Sequence, residues 1–140
     1  MHMDSKRLVI GTIVGGIALY IVGYIFWAMV FADFFAANSG SASGVMRDSE
    51  ILWAGVVGAL AYAMLLTLSI ESQSGSSVMS GAKVGAVVGM LIWMTADFTL
   101  YGLQNVNNLT GTVADTALEF VRGGIVGAVI AATLAKVSGK

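Results

Sequence analysis

The chain has 140 residues, 57% hydrophobic and only 11% charged, with a net charge of −1 and a mean hydropathy of +0.86. That composition lies outside the soluble range, and the length allows a single domain, residues 1–140. The lack of cysteine excludes disulfides and thiolate chemistry, and the lack of any basic tract excludes a surface that tracks nucleic-acid phosphates.

The only histidine, His2, lies in Met1-His2-Met3, which reads as a leader added before a start at Met3. No metal site built on imidazole, and no cofactor, is expected. Residues 8–32 then carry no ionisable side chain except tyrosine. About 20 apolar residues cross a bilayer, so a first membrane helix is predicted over 7–37. Lys6 and Arg7 before this run, with Ala36-Ala37-Asn38-Ser39 after it, imitate a cleaved signal. The run is about twice as long as a signal's apolar core of roughly 7–15 residues, so it is read as a span.

Within that helix Gly15, Leu19, Gly23, Trp27, Phe31 and Phe35 stand four apart, with Gly11 extending the row. Such a row forms one ridge on a helix surface. Asn38 to Gly44 is a flexible linker by composition. A second helix is predicted over 49–70, with Glu50, Ala54, Gly58, Tyr62 and Leu66 on a similar ridge. Glu50 would there sit against the positive end of the helix dipole. Ser72 to Ser77 forms a turn, and a third helix is predicted over 79–104, carrying Gly81, Gly85, Gly89, Trp93, Asp97 and Tyr101 on one ridge. Gln104 to Gly111 reads as a loop. The fourth helix, over 113–137, presents Glu119, Gly123, Gly127, Ala131 and Ala135. No proline is present, so no proline kink or proline-broken span is expected.

The expected fold class is therefore an all-α membrane protein of four transmembrane helices. Gly15, Gly23 and Trp27 recur as Gly81, Gly89 and Trp93, and Glu50, Gly55, Gly58 and Ala59 recur as Glu119, Gly124, Gly127 and Ala128. This spacing predicts two tandem helical hairpins, about 7–70 and 79–137, related by a pseudo-two-fold axis along the membrane normal. Glycine ridges let membrane helices approach closely, so they mark packing faces. Lys6, Arg7, Lys83, Lys136 and Lys140 gather on the side of both termini, which predicts cytoplasmic termini.

The candidate site lies toward the opposite side. Asp97 stands roughly 10 Å inside the end of its helix at 1.5 Å per residue, and a carboxylate at that depth needs a partner or water. Glu119 and Arg122 are three apart and close enough to pair. Three arrangements are open. Arg122 forms an internal ion pair with Asp97 or Glu119. Alternatively, Glu50, Asp97 and Glu119 line an acidic pocket for protons or a cation. In the third, Trp27, Trp93 and Tyr101 wall a polar ligand pocket in which Arg122 holds an anionic group. Asp33 is a weaker candidate because it has no counterpart at the spacing of Asp97. Trp53 reads as an interface anchor.

Thr95-Ala96-Asp97-Phe98-Thr99, the span to Asp115, Gly123-Gly124-Ile125-Val126-Gly127-Ala128-Val129 and Gly23-Tyr24-Ile25-Phe26-Trp27 carry a resemblance. The chain resembles small four-span bacterial membrane proteins catalogued as domains of unknown function, departing from one such family at Leu100. The resemblance implies a fold and an inner-membrane location, with no activity attached.

No nucleophile–base pair, metal cluster or phosphate-binding loop is present, so no enzyme is expected. The expected role is an accessory or small-ligand-binding membrane subunit, with the lipid bilayer and a homodimer or larger membrane complex as partners. The alternative is a small proton- or cation-coupled transporter using the outer acidic pocket.

Overall fold

The computed structural model describes residues 4–73 and 77–137. The Met1-His2-Met3 leader, the middle of the Ser72–Ser77 turn and Lys140 lie outside the described residues. Helix α1 runs Ser5–Gly23, continues as a π-helical segment Tyr24–Val30, and is followed by a short helix α2, Ala32–Ala37. Then come α3 (Leu52–Glu71), α4 (Val78–Leu103) and α5 (Leu109–Val137). Four spans, Ser5–Val30 and α3 to α5, are long and apolar enough to cross a membrane. The chain is a multi-pass membrane protein folded as a helical bundle.

The helix ends follow local chemistry. Asp4 caps α1 by accepting the Lys6 N–H at 2.9 Å, and Ser77 caps α4 by accepting the Ser80 N–H at 3.1 Å. Asn108 accepts the Gly111 N–H at 2.9 Å, so α5 begins at Leu109, four residues ahead of the expected start. The loop-like composition there conceals a cap. Conversely, α3 begins only at Leu52, since Ile51 is non-helical (φ −89°, ψ 86°) and offers no capping side chain. Glu50 is therefore an exposed loop residue and not part of a helix dipole.

The first span is not the uniform helix expected over 7–37. Its last turns widen to i→i+5 hydrogen bonding, closing with Phe31 N–H to Phe26 O at 2.8 Å, and the chain leaves helical geometry at Phe31 (φ −111°, ψ 10°). No proline is involved. Phe26, Trp27, Phe31, Phe34 and Phe35 pack on one another around this break, Trp27 stacking on Phe35 with centroids 6.3 Å apart. The four-apart ridge thus ends near Trp27. The linker after α2 is also better tied than its composition suggests. Asn38 O, Gly40 N and Ala42 N bond the 105–108 backbone at 3.0, 2.6 and 2.9 Å, and Ser41 Oγ accepts from Asn105 Nδ2.

Helices α4 and α5 form the tightest pair. A Cβ on Gly85 would lie 2.9 Å from Gly127 Cα, and one on Gly123 would lie 3.0 Å from the Gly85 carbonyl carbon. The seam therefore brings backbone against backbone, as small-residue membrane contacts do. Helix α1 packs on α3 and α5, and α3 meets α4 over a shorter stretch. Leu19, Ala63, Leu66, Ile70, Val126, Ile130, Ala131 and Leu134 form the buried core, on the side of the termini. At that edge Arg7 makes two hydrogen bonds to Glu71, at 2.7 and 2.8 Å, and one to Leu134 O at 2.8 Å. Large apolar side chains such as Ile13, Ile17, Val57 and Leu91 are exposed around the bundle, as a lipid-facing surface requires.

Residues 11–19 and 81–89 show the same succession of buried, half-buried and exposed positions. That match sets Gly11 beside Gly81 and Gly15 beside Gly85, four residues away from the register expected from the glycine and tryptophan spacing.

Candidate functional site

The loop-side half of the bundle holds the polar interior. Arg122 projects from α5 and donates from Nη1 to Glu119 Oε1 at 2.6 Å. Its Nε and Nη2 donate to the Leu19 carbonyl of α1 at 3.2 and 2.9 Å. Gly23 makes this possible, because a Cβ there would stand 2.9 Å from Arg122 Nη2. This glycine, expected to serve helix packing, admits a guanidinium. The Arg122 guanidinium carbon lies 5.3 Å from the centre of the Trp27 ring and 5.9 Å from that of Tyr62, within cation–π range. Tyr62 of α3 donates to Glu119 Oε2 at 3.3 Å. Glu119 is 1% exposed, and with two charge-assisted partners it is satisfied where water is absent.

Of the two internal pairs open from the sequence, Arg122 thus takes Glu119. Asp97 lies elsewhere. Its Oδ2 accepts from Thr116 Oγ1 at 3.0 Å, which sets it close to the Asp115 carboxylate. Asp115 in turn accepts the Trp27 indole N–H at 2.5 Å. Trp27 consequently stands between the two clusters, with Arg122 against its face and Asp115 at its edge.

An open cavity of about 920 Å³ lies between α1, α3, α4 and α5. Trp27, Trp93, Tyr62 and Arg122 line it, Glu50 stands at its exposed mouth, and Leu65 and Ile92 line it within the spans. Trp93 is half-buried, and its indole Nε1 is buried without a hydrogen-bond partner among the described residues. Gly58 also lines the cavity, and a Cβ built on it meets no atom within 4 Å.

The expected site residues are therefore divided. Trp27, Trp93, Arg122 and Glu50 meet at the cavity, and Glu119 lies directly behind Arg122. Asp97 is buried outside the cavity lining, and Tyr101 is 43% exposed on α4 and is not a cavity wall. Glu50, Asp97 and Glu119 do not converge on one pocket. The expected equivalence of Glu50 and Glu119 also fails in environment, one being an exposed loop residue and the other buried within α5. Asp33 is exposed on α2. Among the described residues, no group of three or more acidic, histidine or cysteine side chains is placed to hold a metal ion.

Asp115, Tyr62 and Thr116 are the polar residues that sequence reasoning left out of the site. Asp115 had a signal, since it precedes Glu119 by four and so shares its helix face. Tyr62 stood on the α3 ridge, where a phenol in the middle of a span calls for an acceptor. For Thr116 the sequence carries no comparable signal. No protein-family model matches the chain, and neither curated proteins nor solved structures show a match to it.

Proposed function

We propose that this protein is a small-ligand-binding subunit of the bacterial inner membrane, with the cavity around Arg122 as its binding site. The carrying observation is the cavity itself, about 920 Å³, with tryptophan and tyrosine walls and one anchored guanidinium. Ligand pockets of roughly 300–1,000 Å³ are mostly apolar with a few convergent polar groups, and this cavity has that character. Ligand binding on an internal frame also accounts for a loop-side half left unfilled while the terminal half is packed. The distribution of Lys6, Lys83 and Lys136 supports cytoplasmic termini. The matching burial of residues 11–19 and 81–89 supports a duplicated hairpin, with the register set by burial and not by the tryptophans.

Gly58→Leu provides the test. The new side chain enters open space, and replacing glycine within a helix favours folding by up to about 1 kcal/mol. Wild-type protein released from nanodiscs into a mass spectrometer should carry a small-molecule adduct at near-stoichiometric occupancy. The folded Gly58→Leu protein should lack it. Identical adduct patterns in the two proteins, or none in wild type, would remove this reading.

The second reading, a proton- or cation-coupled transporter, is favoured by the buried Asp97, the half-buried Asp115 near it and the hydrogen bond from cavity-lining Trp27 to Asp115. It predicts that Asp97→Asn abolishes pH-dependent uptake in liposomes while the protein still folds. Unchanged flux would eliminate it.

A further inference from the structure

Resting on the cavity as the binding site, we infer that its ligand is a neutral lipophile bearing a carbonyl or quinone oxygen. That oxygen accepts hydrogen bonds from the uncommitted N–H groups of Arg122.

A guanidinium has five N–H donors. Arg122 commits three, to Glu119 and twice to Leu19 O. Two remain on a side chain that lines the cavity and is 14% exposed. The ligand's charge follows from what already surrounds the guanidinium. Glu119 matches the Arg122 charge in a buried contact. An incoming anion would add an unmatched negative charge within the span, next to Glu119, with Glu50 at the mouth and Asp115 behind Trp27 adding the same sign. A lipophilic cation fares no better. Arg122 already lies against the Trp27 and Tyr62 rings, so a cation among these walls would meet a like charge.

A neutral acceptor avoids both conflicts. It takes hydrogen bonds from a charged donor, the stronger class of such bonds, and leaves the net charge unchanged. Its body would lie along Trp93, with Gly58 leaving room beside it and Leu65 and Ile92 as an apolar flank. A flat ring with an apolar tail fits this distribution of polar and apolar wall.

Three probes of different charge test the inference on the full chain in nanodiscs: decylubiquinone, laurate and tetraphenylphosphonium. Binding is followed by isothermal titration, with protein-free nanodiscs subtracting partition into the bilayer. Decylubiquinone should bind wild type at least about ten-fold tighter than either charged probe, a difference of about 1.4 kcal/mol. Its site-specific heat should vanish in Gly58→Leu. Arg122→Lys, which keeps the charge but not the fork, should weaken it by about ten-fold. Site-specific binding of laurate or tetraphenylphosphonium in place of the quinone would overturn the inference while leaving the cavity reading intact. Absence of site-specific binding by all three would also overturn it, and the adduct measurement then decides the cavity reading independently.

Discussion

Toward the termini, Leu19, Leu66, Ile70, Ile130 and Leu134 fill the bundle axis with side chains that are at most 1% exposed. Toward the loops, the space between the same helices holds Arg122, Glu119, Asp97, Asp115 and an open cavity. Each half has one arginine within a membrane-spanning helix, and the two make parallel contacts. Arg7 bonds Glu71 and the Leu134 carbonyl, and Arg122 bonds Glu119 and the Leu19 carbonyl. In both cases an arginine links a carboxylate to the backbone of another helix. The difference lies in depth. Arg7 stands three residues into the first span, where headgroups and water are close. Arg122 stands well within α5 and is enclosed by Trp27, Tyr62 and a carbonyl. A charge of that kind is expensive in a membrane and tends to mark a functional interior. The arginine at the edge is accounted for by fastening the helix ends.

Substitutions can break that contrast, and the largest effect is expected away from both arginines. Gly85→Leu drives a side chain into the backbone of α5, where nothing flexible can yield. Overpacking typically costs about 1–3 kcal/mol, and a whole isobutyl group against backbone should exceed that range. No monodisperse species should survive size exclusion in mild detergent. A well-folded Gly85→Leu protein would show that the α4–α5 seam can spread.

Next in size is Arg122→Gln, which leaves Glu119 buried beside Tyr62 without its counter-charge. Breaking a buried pair costs about 3–5 kcal/mol, read as a lower midpoint in SDS-driven unfolding. The matched change Arg7→Gln should cost about 1 kcal/mol or less, because its pair is partly exposed, with side chains 18% and 14% accessible. Equal losses would erase the distinction between an interior and an edge arginine.

An effect well below that of Arg122→Gln, and of the same order as Arg7→Gln, is expected from Trp27→Phe. It keeps an aromatic face for Arg122 but removes the indole N–H from Asp115. An interhelical hydrogen bond in a membrane is worth about 0.6–2 kcal/mol, so the unfolding midpoint should move slightly. A loss as large as that of Arg122→Gln would place Trp27 at the centre of the polar interior.

Much of this was legible before any coordinates. Long runs without ionisable groups located the first two spans, shorter apolar runs with helical periodicity located the other two, and the four-apart glycines marked packing faces. Arg122 and Glu119, three apart in an apolar helix, were close enough to pair, with Asp97 as the other candidate partner. Other residues misled for identifiable reasons. Glu50 looked like the first turn of a helix, but Ile51 provides no cap and the helix starts beyond it. Asn108 looked like loop composition, yet its side chain caps α5. Gly23 looked like a packing glycine, and its missing side chain serves Arg122 instead.

The sequence by itself determined the class of environment and the number of crossings, because hydropathy and length act on each segment alone. It also determined the glycine ridges and set Glu119 and Arg122 within reach of each other, since helical periodicity places residues three and four apart without reference to other helices. Only the tertiary structure decided which side chain faces which across the bundle. Asp115 meets Trp27, Tyr62 meets Glu119, and Tyr101 remains outside. Those outcomes depend on the π-helical turn that alters the register near Trp27 and on the limited contact between α3 and α4, neither of which leaves a local mark in composition or spacing.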